Sequence, residues 1–209
     1  MKYKAVIYDL DGTLLDTMAM NMYPLMRVIE EVKGENKTYE EVKHFFGMSG
    51  KQTLEALDID YDKYYSLWVK YVNEYEQGAV PFDGVYELLE EVKQLGYVQA
   101  VVSSKTYKQY DIDVDKNMDL YFETKVLIED TKLHKPNKEP MVECLKRLNI
   151  QPHEAIYVGD TLGDSLCCKA SGVDFVWANW MGLENDKLKE YIELKHPLDL
   201  LKVLNDKEA

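Results

Sequence analysis

Six polar residues stand where an ionised oxygen, a hydroxyl or an ammonium group could do chemistry: Asp9, Asp11, Ser103, Lys135, Asp160 and Asp164. Asp9 and Asp11 flank a single residue at the end of an apolar run, so alternation along the chain is expected to send both carboxylates toward one side. Two neighbouring carboxylates repel each other and need a cation or a shared proton. Asp160 and Asp164 belong to a second acidic loop and would complete an oxygen-rich pocket, which hard ions such as magnesium prefer.

The Asp-x-Asp-Gly sequence at residues 9–12 is weak evidence by itself, because Asp and Gly are also ordinary turn residues. Taken alone, this segment is better interpreted as a turn in which Gly12 lets the chain reverse sharply. Two other segments change that interpretation. Ser103 supplies a hydroxyl at another strand end, and Lys135 supplies a fixed cation in a loop. The segments follow one another in the order required to surround a single crevice.

Four apolar, β-branched runs lead into small or acidic residues and predict buried strands. The runs cover residues 5–8, 98–102, 155–158 and 174–177. Amphipathic helical patterns lie between them, at residues 85–95, 141–148 and 164–171. Strands that alternate with helices predict an α/β fold built from parallel βαβ units. Ligands of such sheets bind at the carboxyl ends of the strands, where the polar residues described above are gathered.

One long segment interrupts this alternation. Residues 17–79 contain helical patterns, such as 22–32 and 61–75, and no convincing strand. A chain of 209 residues is long enough for one core domain that carries a smaller insertion. We therefore predict a catalytic core formed by residues 1–16 and 80–209, with a helical insertion over residues 17–79 that lies above the active site.

Four segments resemble the four motifs of the haloacid dehalogenase-like hydrolase superfamily, in the subgroup whose helical cap lies between the first and second motifs. The segments are Asp9-Leu10-Asp11-Gly12-Thr13, Val101-Val102-Ser103-Ser104, Lys135-Pro136 and Gly159-Asp160-Thr161-Leu162-Gly163-Asp164. They span nearly the whole chain, and together they are far more specific than any one of them. The resemblance implies a Rossmann-like parallel sheet with an inserted α-helical cap domain, as in phosphoglycolate phosphatases and β-phosphoglucomutases.

The resemblance also implies a covalent mechanism. Asp9 would attack phosphorus and form a phosphoaspartyl intermediate, which splits one difficult displacement into two easier ones. Asp11 would donate a proton to the leaving oxygen and later accept one from the attacking water. The expected cofactor is Mg²⁺, held by the carboxylates of Asp9 and Asp160 and the backbone carbonyl of Asp11, with Asp164 supporting the metal's water ligands.

The remaining motif residues are expected to bind the phosphoryl group. Lys135 would offset negative charge on Asp9 and on the phosphoryl group, while Ser103, Ser104 and neighbouring backbone N–H groups would bind its other oxygens. The sequence departs from the family in two places. Lys138 stands where a second proline often occurs, and the segment 107–119, rich in Asp and Tyr, is a poor helix. Neither departure removes a catalytic group.

Three functions are left open by these residues. Hydrolysis of a small phosphate monoester leads, because Thr13 fits the phosphatases better than the mutases. A phosphomutase that acts on a sugar phosphate is the alternative, since the loop 47–51 vaguely resembles the cap loop of β-phosphoglucomutases. The third is a partner-binding protein on a retired enzyme scaffold. We also predict that Lys51, which follows two glycines, contacts the substrate; the alternative is an ordinary solvated surface lysine.

The composition limits the partners. The formal net charge of −13 opposes nonspecific attachment to nucleic acid or to an anionic membrane, so the expected partner is a small phosphorylated metabolite. The cysteines Cys144, Cys167 and Cys168 lack a metal-binding spacing and are expected to be reduced thiols. With no signal-peptide pattern and no long apolar stretch, we predict a cytoplasmic protein. The sequence does not predict its oligomeric state.

Overall fold

A computed structural model of the protein describes residues 2–205. Within these residues the chain forms two compact units, one made of residues 2–15 and 81–205 and the other of residues 16–80. The strands are β1 (Ala5–Tyr8), β2 (Leu15–Asp16), β3 (Val80–Pro81), β4 (Val98–Val102), β5 (Thr124–Val126), β6 (Ala155–Gly159), β7 (Asp174–Ala178) and β8 (Ile192–Leu194). β2 and β3 span the two points where the chain passes between the units.

The α-helices alternate with the strands of the first unit and dominate the second. They are α1 (Met18–Lys33), α2 (Tyr39–Val42), α3 (Gly50–Ala56), α4 (Tyr61–Asn73), α5 (Val85–Gln94), α6 (Tyr107–Asp113), α7 (Lys116–Asp119), α8 (Glu139–Leu148), α9 (Leu162–Ser171) and α10 (Leu200–Asn205). Short 3₁₀ helices cover Lys43–Phe45, Ile128–Asp130, Pro152–Glu154 and Pro197–Asp199. No helix among residues 2–205 has both the length and the apolar character needed to cross a membrane.

The first unit is built on a six-stranded sheet with the order β5-β4-β1-β6-β7-β8. All neighbouring strands are parallel, and Ala5 of the central strand β1 is in register with Val98 of β4 and Ala155 of β6. This confirms the predicted α/β class with a Rossmann-like parallel sheet. The carboxyl ends of β1, β4 and β6 therefore meet at one edge of the sheet.

Both faces of this sheet are covered, which is why its central strands are apolar throughout. On one face, Ile7 and Tyr157 pack in a buried cluster with Met141 of α8 and Cys167 of α9. On the other face, the Tyr8 hydroxyl donates to the Gln99 side chain at 2.9 Å, and the Gln99 amide donates to the Leu89 carbonyl of α5 at 2.9 Å. Helices thus hold the central strands from both faces of the sheet.

Two strands of this sheet were not predicted from the apolar runs of the sequence. β5 and β8 contain three residues each, with Thr124 and Glu193 among them, so neither forms a continuous apolar run. Both are edge strands, where one side of the strand lacks a neighbour and polar residues are tolerated. The segment 107–119, which was expected to be a poor helix, forms the two short helices α6 and α7.

The second unit contains the helices predicted at 22–32 and 61–75, as α1 and α4. Leu25, Ile29 and Leu54 are fully buried in its own apolar cluster, together with the nearly buried Trp68. The Arg27 guanidinium also lies 3.6 Å from the centre of the Tyr71 ring. This unit therefore has a core of its own, built by amphipathic helices.

Candidate active site

The predicted site residues of the first unit lie where its central strands end. Asp9 directly follows β1, Ser103 directly follows β4, and Asp160 directly follows β6. The Asp9 N–H donates to the Val158 carbonyl at 2.9 Å, which extends the pairing of β1 with β6 by one residue. Residues far apart in sequence are brought to one edge because these strands are parallel neighbours.

The loop after β1 folds tightly beside Asp160. Gly12 has φ +75°, and a Cβ atom there would overlap the Asp160 carboxylate, so only glycine fits this position. The Thr13 hydroxyl donates to Asp160 Oδ1 at 3.3 Å. The Trp180 indole N–H donates to the Thr13 carbonyl at 3.0 Å and ties the loop to the segment after β7. The turn predicted at residues 9–12 thus also brings the first and fourth motifs together.

Three carboxylates lie close together, and two of them pair with a single lysine. Carboxylate oxygens of Asp9, Asp160 and Asp164 lie within 4.8 Å of one another. Lys135 Nζ is 3.0 Å from Asp9 Oδ1 and 2.7 Å from Asp164 Oδ1, and its side chain is buried. Three carboxylates against one ammonium leave an excess of two negative charges when all are ionised. The charge of one divalent cation would balance that excess.

The ionisation of these groups reflects the same imbalance. Burial raises the pKa of the Asp9 carboxyl to about 7, and the charges of Asp164 and Asp11 add to this while Lys135 opposes it. Burial and the charges of Asp164 and Asp9 raise the pKa of Asp160 well above its usual range. Burial alone would lower the pKa of Lys135, but the charges of Asp164 and Asp9 outweigh it and raise that pKa. Without a further cation, the surroundings therefore favour the protonated forms of Asp9 and Asp160.

Asp164 is saturated by protein donors. Its Oδ2 accepts from the Thr161 N–H at 2.9 Å and from the Thr161 hydroxyl at 2.6 Å. Its Oδ1 accepts from Lys135 at 2.7 Å and lies 3.2 Å from the Tyr157 hydroxyl oxygen. A carboxylate held in this way is better suited to orient its neighbours than to enclose a cation directly.

Asp9 and Asp160 have the freer oxygens, and they fit a divalent cation. Asp9 Oδ1 is buried and receives no well-aligned hydrogen bond, although Lys135 lies close to it. Such a buried oxygen costs free energy unless another positive group compensates it. All the possible metal-ligand atoms of this cluster are carboxylate oxygens, which hard ions such as Mg²⁺ prefer as ligands. The residues present therefore fit the ion that the family resemblance implies.

Ser103 and Ser104 lie side by side but differ in exposure. Ser103 is 5% exposed, its N–H donates to the Val126 carbonyl at 3.0 Å, and its hydroxyl oxygen accepts from the Lys105 N–H at 3.3 Å. Ser104 is exposed. The strand end is thus fixed by the pairing of β4 with β5, and the chain turns away immediately after it.

A second buried lysine, which the sequence analysis did not single out, contacts Asp11. Lys105 Nζ lies 2.8 Å from Asp11 Oδ1 and 2.6 Å from Asp113 Oδ2. The side chains of Lys105 and Asp113 are 7% and 5% exposed, whereas that of Asp11 is 35% exposed. Asp11 therefore has one buried, charged side and one open side.

Lys51 belongs to the second unit, where it lies in the first turn of α3. Its side chain is 65% exposed, and its ammonium is 3.8 Å from the Glu55 carboxylate. The Ser49 hydroxyl before it caps α3 by accepting from the Gln52 N–H at 3.3 Å. The predicted contact between Lys51 and a substrate remains a prediction.

Some of what the sequence analysis missed had a visible signal. Thr161 and Asp164 form a capping box, with the Thr-x-x-Asp spacing that marks a helix start, and this spacing indicated how Asp164 would be held. Lys105, two residues after Ser103, was visible as a charge beside a buried strand end. Tyr157 gave no such signal, since a tyrosine within an apolar strand is ordinary core. Its hydroxyl donates to the Val102 carbonyl at 2.8 Å and lies 3.2 Å from Lys135.

Comparison with known proteins places these features in a family. The family model described as haloacid dehalogenase-like hydrolase matches residues 6–178. A candidate PpaX pyrophosphatase of Caldanaerobacter subterraneus subsp. tengcongensis is 31% identical over 193 residues, covering 91% of this chain and 88% of the relative. The pyrophosphatase PpaX of Bacillus mycoides is 26% identical over 209 residues, covering 99% of this chain and 95% of the relative.

Solved structures share the fold at lower identity. A candidate phosphoglycolate phosphatase of Lactobacillus plantarum has a TM-score of 0.87 and 23% identity, covering 97% of this chain and 100% of that one. A candidate β-phosphoglucomutase of Thermotoga maritima has a TM-score of 0.74 and 23% identity, covering 96% of this chain and 98% of that one. At such identities these structures establish the common fold.

Proposed function

Since this chain belongs to the haloacid dehalogenase-like hydrolase family, we propose that it is a magnesium-dependent phosphatase that hydrolyses a small phosphate monoester. In this proposal the reaction passes through a phosphoaspartyl intermediate on Asp9. The observation that carries it is the cluster of Asp9, Asp160 and Asp164 at the carboxyl ends of β1 and β6, in which Asp9 and Asp164 pair with the buried Lys135. In the proposal, these groups serve as the nucleophile, the ligands of a divalent cation and a fixed ammonium group.

The chemistry assigned to the chain divides between two aspartates. A carboxylate oxygen of Asp9 forms a bond to phosphorus while the bond from phosphorus to the leaving oxygen breaks, and Asp11 gives its proton to that oxygen. Water then attacks the phosphorus, the bond to Asp9 breaks, and Asp11 takes the water's proton. The partly exposed side of Asp11 suits this exchange, because both the leaving group and the water arrive from solvent.

Charge balance during these steps is assigned to the groups around Asp9. Lys135 remains protonated and offsets charge on Asp9 and on the phosphoryl oxygens. Ser103 and Ser104, with the backbone N–H groups after β4, are assigned to the other phosphoryl oxygens. Mg²⁺, when held by Asp9, Asp160 and the backbone carbonyl of Asp11, supplies a charge clamp for the phosphoryl group.

The second unit is assigned the choice of substrate. We propose that residues 17–79 act as a cap, and that Lys51 contacts the leaving group of the substrate. The exposed side chain of Lys51 and the glycines at positions 47 and 50 are compatible with this role. Its weak pairing with Glu55, at 3.8 Å on the surface, is a contact that a bound anion can replace at little cost.

Inorganic pyrophosphate is a second candidate substrate. The 31% identical relative and several others carry the name of PpaX pyrophosphatases, and together they cover most of this chain. The same two steps apply, with inorganic phosphate as the leaving group. A sugar phosphomutase differs only in that a sugar hydroxyl replaces the water, and the fold is shared with a candidate enzyme of that kind.

Location and partners follow as part of the proposal. We assign the protein to the cytoplasm, where its three buried, unpaired cysteines would stay reduced. The net charge of −13 favours a small phosphorylated metabolite over nucleic acid as partner. Mg²⁺ is the assigned cofactor because the cluster offers carboxylate oxygens, the ligands that this hard ion prefers.

The test is turnover by the purified full-length chain. An aryl phosphate, several alkyl phosphates, a sugar phosphate and pyrophosphate are each assayed after chelation and again with magnesium restored. We expect hydrolysis only with magnesium, together with a phosphoryl group trapped by rapid quench on the peptide that contains Asp9. Calcium should fail to replace magnesium, because it is larger and takes more ligands.

Each outcome separates the candidates. Faster release from pyrophosphate than from all the monoesters would assign the chain to the second candidate. Isomerisation of the sugar phosphate without net release of phosphate would identify a mutase. Full activity after verified metal removal, or no turnover of any ester, would overturn the proposed function, and the latter result would favour a binding protein on this scaffold.

A further inference from the structure

The geometry points to a positioning role for Lys105. We propose that Lys105, held by Asp113, fixes the carboxyl group of Asp11 in the orientation from which it exchanges a proton with the leaving oxygen and the attacking water. The inference rests on the proposed function, in which Asp11 is the acid and base. Within it, Lys105 touches neither the substrate nor the phosphorus and acts through Asp11 alone.

The first observation is the geometry of the ion pairs. Lys105 Nζ lies 2.8 Å from Asp11 and 2.6 Å from Asp113, and its side chain is only 7% exposed. A buried ammonium between two carboxylates has little freedom, since moving it would strand at least one buried charge. Asp11 is 35% exposed, its only ion pair among residues 2–205 is the one with Lys105, and its Oδ1 receives no well-aligned hydrogen bond. Lys105 is therefore the group that restricts where the Asp11 carboxylate points.

The second observation is that the backbone of Lys105 is anchored on both sides. Its N–H donates to the Ser103 hydroxyl at 3.3 Å, and its carbonyl accepts from the Ile128 N–H at 3.0 Å. Ser103 itself is fixed to β5 through its hydrogen bond to Val126. The ammonium group thus projects from a rigid part of the sheet edge and not from a free loop, which suits a group that must hold another in place.

The third observation is the unfavourable place of Asp113. It is the last residue of α6, where the partial negative charge of the helix end disfavours a carboxylate. Its side chain is also 5% exposed, so it loses solvation as well. Nothing in the helix compensates these costs, but the contact with Lys105 does. Asp113, one of the acidic residues that made 107–119 a poor helix in the sequence, thereby supports this lysine.

Lys105 itself takes no part in proton exchange. Lys105 lies between Asp11 and Asp113, and in the proposal one proton passes from Asp11 to the leaving oxygen while another returns to Asp11 from water. Its contribution is geometric, and it should matter most when the leaving group needs a well-placed acid.

The dependence on the leaving group supplies the test. Lys105→Met keeps the length of the side chain and removes its charge. We expect it to lower kcat for an alkyl phosphate at least about tenfold, and to leave an aryl phosphate with a good leaving group within about threefold of the parent. Lys125→Met is the matched control. It removes a lysine paired with Asp119 outside the site, and both esters should be turned over as by the parent.

Two further variants keep the test decisive. In an Asp11→Asn background, Lys105→Met should lower kcat for the alkyl phosphate by less than about a further twofold, because its effect is exerted through Asp11. Asp113→Asn preserves the shape of the site and should show the same selective loss for the alkyl ester, even where Lys105→Met does not fold. Equal losses on both esters, or an undiminished loss in the Asp11→Asn background, would overturn the positioning role. A parent protein that hydrolyses neither ester would instead refute the proposed function itself.

Discussion

At the scale of single residues, the burial of Asp9 opposes the ionisation that its assigned role as nucleophile requires. A nucleophile must be ionised, yet burial raises the pKa of Asp9 to about 7. Lys135 at 3.0 Å opposes this rise but is shared with Asp164. A divalent cation bound by Asp9 and Asp160 would favour the ionised form of both carboxyl groups. The same ion is thus expected to complete the site and to prepare its nucleophile.

Replacement of Asp9 tests the covalent step. Asp9→Asn keeps the shape of the side chain and removes the nucleophilic carboxylate, so we expect turnover to fall at least about a thousandfold. No phosphorylated peptide should be trapped from this variant. The measurement is kcat for an aryl phosphate with magnesium, alongside a rapid-quench assay for bound phosphate.

An exposed aspartate provides the control for that measurement. The Asp186 side chain is 90% exposed and, within residues 2–205, pairs only with Lys189 on the surface, so Asp186→Asn should retain the parent's activity. Activity of Asp9→Asn within about tenfold of the parent would contradict the role assigned to Asp9.

The sequence could predict the carboxylates and Lys135 but not the group that holds Asp11. The residue types of the short motifs indicate their chemistry, and these motifs contain Asp9, Asp160 and Lys135. Lys105 and Asp113 are eight residues apart and become partners only when α6 turns back toward the end of β4. Such a contact depends on the path of the chain in space, and neither residue type indicates it.

At the scale of elements, the strands that carry the site were predicted and the edge strands were not. β1, β4 and β6 are buried on both faces, so their apolar runs are continuous and easy to identify. β5 is partly exposed and lies at an edge. It nevertheless matters for the site, since its Val126 carbonyl accepts from the Ser103 N–H. A short edge strand such as β5 is therefore identified by its pairing with a neighbouring strand in the structure and not by its own sequence.

The start of α3 carries a prediction about substrate choice. If Lys51 contacts the leaving group, Lys51→Ala should lower kcat/KM for the preferred anionic substrate by about tenfold, the loss expected for one ionic contact. A small aryl phosphate should be hydrolysed as before, because the groups around Asp9 are unchanged. The measurement is kcat/KM for both substrates.

Lys63 in α4 offers a matched comparison within the same unit. It is also an exposed lysine near a helix start, so Lys63→Ala should leave both substrates unaffected. Equal kinetic constants for Lys51→Ala and the parent on the preferred substrate would refute the contact and place the choice of substrate on other residues of the unit.

At the scale of the whole molecule, the buried carboxyl groups couple stability to pH and to magnesium. The pKa of Asp9 is about 7 in the folded protein against an ordinary value of 3.8. Between these values the folded protein binds the proton more tightly than the unfolded chain. The contribution of Asp9 to the free energy of unfolding is therefore fully present below pH about 4 and is lost as the pH rises through about 7. Magnesium competes with that proton.

The stabilisation by magnesium should consequently increase with pH. At about pH 8, free magnesium at 100 times its Kd should raise the free energy of unfolding by about 2.7 kcal/mol. At about pH 5.5 the same concentration should give clearly less, because protons must be displaced first. Thermal unfolding of the full chain with magnesium and with chelator at the two pH values measures this difference directly.

A variant without the titrating group separates this coupling from general effects of pH. In Asp9→Asn one of the two carboxyl groups with a raised pKa is gone, so the magnesium effect should be smaller and should depend less on pH. An equal magnesium effect at both pH values in the parent would show that the ion does not compete with these protons.

The division of the chain into two units has a consequence for the evolution of its gene. All the charged groups of the cluster come from residues 2–15 and 81–205, whereas residues 16–80 form one uninterrupted stretch with a core of its own. A gene can therefore exchange or rewrite that stretch in one event, without altering a codon for the carboxylates or for Lys135. Proteins that descend from one ancestor could then differ in their substrates while they keep the same reaction. A change in the cluster itself would instead remove the activity on which selection acts.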